Sequence, residues 1–250
     1  MGNALPRAGS CTRQGLIHNM ESIVIAYEEV KGRIASAAAA AGRDPSDIEL
    51  VAVSKTWPPE TVSELVAAGH ELFGENKVQE LIAKVPALPG ALRWHFIGHL
   101  QRNKVRKVLP LVEAIHSVDS VELGRRIDSI SSELGLFPRI YLQVNTAAEA
   151  SKSGFSPERL TEDIESLLEL DRVEIVGLMS IPPQREDDEQ RRRDFRQLRE
   201  LRDRLQDQTG IPFPGLSMGM SNDFELAVAE GATIVRVGSS IFGRRKVPMT

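Results

Sequence analysis

The 250-residue sequence predicts an α/β protein built as a single (β/α)8 barrel of the TIM type, with an extra helix before the first strand. Short apolar segments rich in β-branched residues recur along the chain, and an amphipathic helical pattern separates each one from the next. Strands joined by single helices form parallel sheets, and eight such units fit one barrel. A doubly wound open sheet is the alternative. It is disfavoured because no glycine-rich turn follows the first strand.

The predicted strands are short and mostly apolar, and several end at a polar residue. They are IELVAVS (48–54), ELFGE (71–75), RWHFIG (93–98), AIHSV (114–118), RIYLQVN (139–145), EIVGLMSI (174–181), PGLSMG (214–219) and TIVRVGS (233–239).

The predicted helices begin at polar capping residues or prolines, and several stop at glycine, as helix termini commonly do. The first covers residues 18–42 and stops at Gly42. The segment 184–208 is densely charged but keeps Phe195, Leu198, Leu201 and Leu205 at helical spacing, which predicts an amphipathic helix with one solvated face. The other helical segments are PETVSELVAAG, NKVQELIAKV, QRNKVRKVLP, SVELGRRIDSISSELG, SPERLTEDIESLLEL and SNDFELAVAEG.

Composition narrows the class of protein and its setting. The formal net charge is −4 with both signs interspersed, so nucleic acid is not an expected partner. Apolar runs fall short of the roughly 20 residues of a membrane span, and neither a secretory leader nor a membrane partner is expected. The single cysteine, Cys11, fits a reducing compartment, and we expect a cytoplasmic protein. Residues 1–14 are expected to be a disordered tail, and 15–250 one domain.

The functional site of such a barrel lies at the C-terminal ends of its strands. Polar residues occupy these ends in this sequence and predict a polar ring at the barrel mouth. They are Ser54 and Lys55, Glu75 and Asn76, His95 and Gly98, His116 and Ser117, Asn145 and Thr146, Ser180, residues 218–221 and residues 236–239.

Lys55 directly follows the apolar run LVAVS, where partial desolvation would lower the pKa of its amine. A lysine with a depressed pKa is nucleophilic and forms Schiff bases with carbonyl compounds. The alternative is a lysine that extends its ammonium out of the barrel mouth into solvent. Position alone does not decide between these two interpretations.

The ends of the last two strands predict a phosphate site. Arg236 should point into the mouth if Val235 and Val237 face the helices, and Gly238 would let the backbone approach a ligand closely. Ser239 opens a short helical segment, and Ser221 is expected to cap the helix before it. Gly-Ser turns are common, so each loop is a weak signal; together they occupy the usual phosphate position of this fold.

A lysine for an aldehyde, a phosphate site and an arginine together indicate pyridoxal 5′-phosphate (PLP) as the cofactor. The partner of the pyridine nitrogen sets the chemistry of PLP. An arginine only donates hydrogen bonds and disfavours protonation of the ring, so Arg236 would weaken carbanion stabilisation.

Several motifs together resemble the YggS/PROSC family of pyridoxal-phosphate homeostasis proteins over residues 20–245. They are VAVSKT, LFGENKVQE, WHFIGHLQRNK, HSVDS, QVNTAAEASKSGF, GLMSI, LSMGMSNDFELAVAEG and VRVGSSIFG. The resemblance implies a barrel like the N-terminal domain of alanine racemase, a fold-type III PLP protein. It also implies that the protein carries the cofactor and regulates its pools without established turnover.

The same resemblance implies the residues that hold PLP. Lys55 would carry PLP as a covalent aldimine, and Arg236 would face the pyridine nitrogen. Ser221, Gly238 and Ser239 match the phosphate-binding positions. Asn76 and Lys152 match residues that face the cofactor, and His95 and Ser217 lie in matching strands.

Simpler interpretations exist for some of these residues. Asn76 could be simply a helix N-cap, and Lys152 could be simply a solvated loop lysine. His95 and His99 are four residues apart but straddle a strand end, so no metal site is expected.

The second functional hypothesis is a PLP-dependent amino-acid racemase with Lys55 as its base. Racemisation needs a base on each face of the substrate. In alanine racemase the second is a tyrosine from a C-terminal β domain of the partner subunit. The present sequence offers only Tyr27 and Tyr141, neither suitably placed, so no catalytic residue is assigned. We expect a monomer whose further partners are apo PLP-dependent enzymes that receive the cofactor.

Overall fold

The computed structural model describes residues 13–147, 153–183 and 185–243. Of the predicted disordered tail, residues 1–12 lie outside this part, and the first helix already begins at Arg13. In the described part, no helix is both long and apolar enough to span a membrane.

The strands form one closed parallel barrel in which each strand pairs with the next and the last pairs with the first. All eight predicted strands are confirmed, most of them a residue or two shorter at their ends. They are β1 (Glu49–Val53), β2 (Leu72–Glu75), β3 (Arg93–Phe96), β4 (Ala114–Val118), β5 (Arg139–Val144), β6 (Glu174–Ser180), β7 (Gly215–Ser217) and β8 (Ile234–Val237).

Helices lie outside the barrel and connect successive strands, as the fold class predicts. They are α1 (Arg13–Ala40), α2 (Pro59–Ala67), α3 (Val78–Lys84), α4 (Val105–Val108), α5 (Val121–Leu134), α6 (Pro157–Leu168), α7 (Asp188–Thr209), α8 (Phe224–Ala229) and α9 (Ser239–Phe242). Short 3-10 turns cover Pro45–Asp47, Val85–Ala87, Arg102–Lys104 and Leu109–Leu111.

The main hydrophobic core lies between the barrel and its helices. Phe73, Phe96, Ile115, Phe195 and Phe213 are among its fully buried side chains. Trp94 belongs to the same layer and packs against Phe73, with ring centroids 5.4 Å apart. Trp94 and Phe96 therefore face outward, between the barrel and its helices.

Inside the barrel, a smaller apolar cluster includes Val51, Leu72, Tyr141, Met179 and Ile234. Buried polar side chains from β3, β4, β7 and β8 share this interior, namely His95, His116, Ser217 and Arg236. Alternation along β8 explains the last of these, because Val235 and Val237 join the outer core while Arg236 faces inward.

The long charged helix α7 is amphipathic, as its pattern predicts. Phe195, Leu198, Leu201 and Leu205 are buried on one face. On its other faces, arginines of α7 surround Glu230, whose side chain is 7% exposed. Arg196, Arg199 and Arg192 lie 3.0, 3.3 and 3.7 Å from its carboxylate. This cluster joins α7 to the end of α8.

Helix α1 packs against α2, α8 and α9, which flank the seam between β1 and β8. Its Tyr27 ring meets His70 edge-on at 5.2 Å. After α1, Arg43 donates to the carbonyl oxygens of Val228 and Ala232, both at 2.8 Å. The extra N-terminal helix therefore braces the seam where the barrel closes.

Candidate active site at the barrel mouth

A cavity of about 720 Å³ opens at the C-terminal ends of the strands. It brings together six of the predicted site residues: Lys55, Asn76, Ser221, Arg236, Gly238 and Ser239. The other lining residues are Val53, Ile97, Ile181, Arg185, Glu186, Arg191, Met220, Asn222 and Asp223.

Lys55 lies in a tight turn directly after β1. The amide of Trp57 donates to the carbonyl oxygen of Ser54 at 3.0 Å, which closes the turn around Lys55 and Thr56. Ser54 is fully buried, whereas the Lys55 side chain is exposed at the edge of the cavity. Burial thus ends one residue before Lys55, at Ser54, and the partial desolvation expected of the Lys55 amine stays a prediction.

A buried ionic cluster lies beneath this turn. The ammonium of Lys84, at the end of α3, contacts Glu75 Oε1 at 2.5 Å and the carbonyl oxygen of Ser54 at 2.7 Å. The hydroxyl of Ser54 donates to the same Glu75 oxygen at 2.7 Å. Burial raises the pKa of Glu75, while hydrogen bonds from Lys84 and Ser54 oppose that shift. The turn that carries Lys55 thus rests on charged groups that water does not reach.

Asn76 follows β2 and presents its side chain to the cavity. Its Oδ1 atom is buried and has no hydrogen-bond partner among the described residues. The residue at the N-cap position of α3 is Lys77, and Asn76 Oδ1 accepts no helix amide, so the capping alternative is wrong. A Cβ atom at Gly98 would overlap the Asn76 carbonyl oxygen. Only glycine lets the loop after β3 approach Asn76 this closely.

Arg236 reaches the floor of the cavity from β8 and is 4% exposed. Its guanidinium donates to Ser217 Oγ at 2.6 Å and to the carbonyl oxygen of Ser180 at 2.9 Å. Burial lowers the pKa of Arg236 to about 10. The side chain therefore stays cationic at neutral pH and can only donate hydrogen bonds.

A chain of hydrogen bonds continues from Arg236 into the barrel. Ser217 Oγ lies 2.8 Å from His116 Nδ1, and His116 Nε2 lies 3.0 Å from His95 Nδ1. Because arginine is the donor at one end, the hydroxyl proton of Ser217 is available to His116, which in turn donates to His95. His95 then carries its proton on Nε2, a buried atom with no partner among the described residues.

The two imidazoles of this hydrogen-bond chain, His95 and His116, are neutral at pH 7. Burial lowers the pKa of His95 to about 4 and lowers that of His116 well below its usual value. Ser217 and His95 were expected to contact the cofactor, but the structure places them behind Arg236 and outside the cavity lining. Ser217 orients Arg236 directly, and His95 acts through His116. The strand positions of Ser217 and His95 predicted that their side chains point into the barrel, but not how far below the cavity they lie.

Ser221 connects the loops after β7 and β8. Its hydroxyl accepts from the amides of Gly238 at 3.2 Å and Ser240 at 3.3 Å. Helix α8 begins only at Phe224, so the expectation that Ser221 caps this helix is wrong. The hydroxyl is directed to the loop after β8 instead. A Cβ atom at Gly238 would lie 3.1 Å from the Val53 carbonyl oxygen, which explains the glycine.

Sequence reasoning missed the charged residues on the β6 and β7 side of the cavity. Arg191, from the first turn of α7, donates to the carbonyl oxygen of Asn222 at 3.0 Å. Arg185 pairs with Asp194 at 2.8 Å. Burial raises the pKa of Asp223, although the amide of Met220 and the charge of Arg191 oppose the shift. The dense charge pattern of residues 184–208 concealed these arginines, because nothing in it distinguishes them from their solvated neighbours.

The remaining predicted site residue, Lys152, lies outside the described residues. Among the described residues, no group of three or more His, Cys, Asp or Glu side chains could hold a metal ion. Tyr27 packs edge-on against His70, and the Tyr141 ring lies tilted against His116 with ring centroids 4.4 Å apart. Neither tyrosine lines the cavity.

Comparison with known proteins places this barrel in a family. Residues 25–246 match the model of the alanine racemase N-terminal domain. A pyridoxal phosphate homeostasis protein from Aquifex aeolicus is 46% identical over 215 residues, which cover 86% of this chain and 94% of that protein. The chain belongs to the family of the pyridoxal phosphate homeostasis proteins.

Solved structures share the same fold. PipY of Synechococcus elongatus, solved with PLP bound, superposes with a TM-score of 0.76 at 41% identity and covers 86% of this chain and all of its own. Alanine racemase from Clostridium difficile has a TM-score of 0.71 at 15% identity over 91% of this chain and 58% of its own, which shows the fold alone.

Proposed function

We propose that this protein binds PLP at the barrel mouth through Lys55 and acts in PLP homeostasis, holding the cofactor without turning over a substrate. One observation carries the proposal: a lysine, a buried arginine and the loop of Gly238 and Ser239 line a single cavity. Relatives that are named for PLP homeostasis and a related structure with PLP bound support it.

The residues of the cavity fit the groups of PLP. Its aldehyde would supply an electrophilic carbon for the amine of Lys55. The Ser221 hydroxyl accepts from the amides of Gly238 and Ser240, so its own proton can be donated to a phosphate beside Ser239, and Arg185 and Arg191 add positive charge nearby. The unpartnered Oδ1 of Asn76 would accept a hydrogen bond from the ligand or from water.

Arg236 is the group proposed to face the pyridine nitrogen. It donates to Ser217 and Ser180 and is held rigidly by them. A cationic donor here keeps the ring nitrogen unprotonated, which limits the ability of the ring to withdraw electrons. The protein would therefore bind the cofactor without fully activating it.

The positions of the tyrosines favour a carrier over a racemase. Racemisation requires a second base opposite the lysine, and neither Tyr27 nor Tyr141 lines the cavity. Lys55 itself is exposed, so a bound cofactor would be accessible from solvent. That accessibility suits reversible loading. We propose that apo PLP-dependent enzymes are the recipients and that the protein is a monomer.

The test is covalent labelling at Lys55. The protein is incubated with PLP, reduced with borohydride and digested, and peptides are analysed by mass spectrometry. We expect a pyridoxyl mass on Lys55 and its loss in a Lys55→Ala variant. Lys107→Ala is the matched control, because Lys107 is an exposed lysine on α4, outside the cavity lining, and its loss should leave labelling unchanged. Persistence of the same labelling in Lys55→Ala would reject the proposal.

A further inference from the structure

Hydrogen bonds from side chains beneath the turn hold its backbone on both sides of Lys55. On one side, the carbonyl oxygen of Ser54 accepts from the ammonium of Lys84 at 2.7 Å. On the other, the amide of Thr56 donates to Glu80 Oε2 at 2.5 Å. Both partners belong to α3, one turn apart, and Lys84 also lies 3.4 Å from Glu80. Helix α3 therefore holds the two peptide groups that flank Lys55.

Thr56 adopts a conformation that its side chain disfavours. Its φ is +69°, and it is the only residue other than glycine with positive φ in the described part of the chain. A β-branched residue in this region is a conformational outlier, and such strain persists only when surrounding contacts impose it. At this position of a closed turn, glycine or asparagine is the usual residue. The bond from Thr56 to Glu80 is therefore a contact that holds the turn in place.

Lys84 and Glu75, beneath the turn, are shielded from water, so water cannot take over the hydrogen bonds that they make to Ser54. Lys84 is 4% exposed and Glu75 is fully buried, and together they reach Ser54 through both its carbonyl oxygen and its hydroxyl. Burial would raise the pKa of Glu80, but the Thr56 amide and the Lys84 ammonium outweigh it and lower that pKa. Glu80 is thus ionised at neutral pH and makes a charge-assisted hydrogen bond to the turn.

We propose that Glu80 and Lys84, supported by Glu75, are positioning residues for Lys55: they hold the turn in the conformation in which the Lys55 amine meets the ligand in the cavity. This inference rests on the proposed role of Lys55. None of the three carboxylate or ammonium groups lines the cavity. They act through the backbone of the turn and not by touching the cofactor.

The decisive variant is Glu80→Ala, because Glu80 is partly exposed and its loss should leave the fold intact. Without PLP, exchange of the Thr56 amide hydrogen should accelerate about tenfold, as expected for loss of one hydrogen bond to a charged group. With PLP, the initial rate of labelling at Lys55 should fall about tenfold for the same reason. Glu80→Gln retains an acceptor oxygen, so both the rise in amide exchange at Thr56 and the fall in the labelling rate at Lys55 should be much smaller.

A rescue separates positioning from general loss of structure. Glycine adopts positive φ without strain, so adding Thr56→Gly to Glu80→Ala should restore most of the labelling rate. A merely structural role of Glu80 would not be repaired by this change. Gln79→Ala is the matched control on the same helix, since Gln79 is exposed and should behave as wild type.

Unchanged amide exchange at Thr56 in Glu80→Ala would overturn the inference, whether or not the protein binds PLP. Unchanged labelling of Lys55 in that variant, with wild-type protein labelled normally, would overturn it while leaving the proposed function intact. Absence of labelling in the wild type would instead reject the proposed function, and the exchange measurement would still test the contact between Glu80 and Thr56.

Discussion

Lys84 and Glu75 form a buried ion pair whose members depend on each other. Their side chains are 5% and 0% exposed, and their charged atoms lie 2.5 Å apart. A buried pair contributes little net stability compared with apolar residues, but loss of one partner leaves the other charge desolvated. The pair therefore specifies the position of the turn above it more than it stabilises the protein.

This dependence predicts an asymmetric effect of substitution. Lys84→Met should lower the free energy of unfolding by about 3–5 kcal/mol, because the Glu75 carboxylate is then buried without its partner. The double variant Glu75→Gln/Lys84→Met should recover most of the loss, since no charge remains to be desolvated. Denaturant unfolding at pH 7 measures the free energy of unfolding of the single and of the double variant. Equal losses in the single and double variants would contradict the coupling.

Single residues differ in how well the sequence predicts them. The position of Lys55 and Arg236 at the cavity was predictable, because each stands at or next to the C-terminal end of a strand, where a barrel presents its ligand site. Lys84 was not, since a lysine in the last turn of an amphipathic helix is normally solvated and interacts with the helix dipole. Its burial depends on where α3 lies against β1 and β2, which no local pattern encodes.

At the scale of elements, the loops after β2 and β3 pass within contact distance of each other. Gly98 makes this possible, because a Cβ atom there would overlap the Asn76 carbonyl oxygen. Backbone atoms cannot move aside as a flexible side chain can. The two loops therefore fix each other, and with them the side of the cavity that Asn76 occupies.

Gly98→Ala should consequently impair both stability and the site. We expect a loss of about 2 kcal/mol or more in the free energy of unfolding, in the range of overpacked core substitutions, together with weaker binding of PLP. Gly90→Ala is the control, because a Cβ atom at Gly90 meets nothing within 4 Å and its φ is not positive. Similar behaviour of the two variants in unfolding and PLP titration would refute the close-approach argument.

Element boundaries were predictable where a residue caps its own helix. Ser120 caps α5 through the amide of Leu123, and Gly135 ends this helix with φ of +68°, as the pattern SVELGRRIDSISSELG indicates. The start of α8 was not, because Ser221 bonds to amides of the loop after β8 rather than to its own helix. At Ser221, a contact with a loop distant in sequence takes the place of local helix capping.

At the scale of the whole molecule, buried histidines couple the stability of the fold to pH. Burial lowers the pKa of His70 and of His95 to about 4 and also lowers the pKa of His116 well below its usual value. In the unfolded chain each would titrate near 6.5. Between pH 4 and 6.5 the unfolded state therefore binds more protons than the folded state, and stability rises with pH.

The protein should lose stability steeply as pH falls from about 6.5 towards 4, by up to about 3 kcal/mol for each of His70 and His95. The raised pKa values of Glu75 and Asp223 act in the opposite direction, since such groups stabilise the fold as pH falls. Denaturant unfolding at several pH values measures the net slope, and a His70→Gln variant should show a shallower one. Stability that is constant or increases towards pH 4 would contradict the neutral buried imidazoles.

The pairing of β1 with β8 brings the first and last parts of the barrel together. Lys55 follows the first strand and Arg236 lies in the last, while Trp57 stacks on Phe242 with ring centroids 6.1 Å apart across the same seam. A ligand that contacts both Lys55 and Arg236 would span the seam between β1 and β8 at which the barrel closes. Such a ligand binds only the closed ring, so its concentration shifts the equilibrium towards the completed barrel.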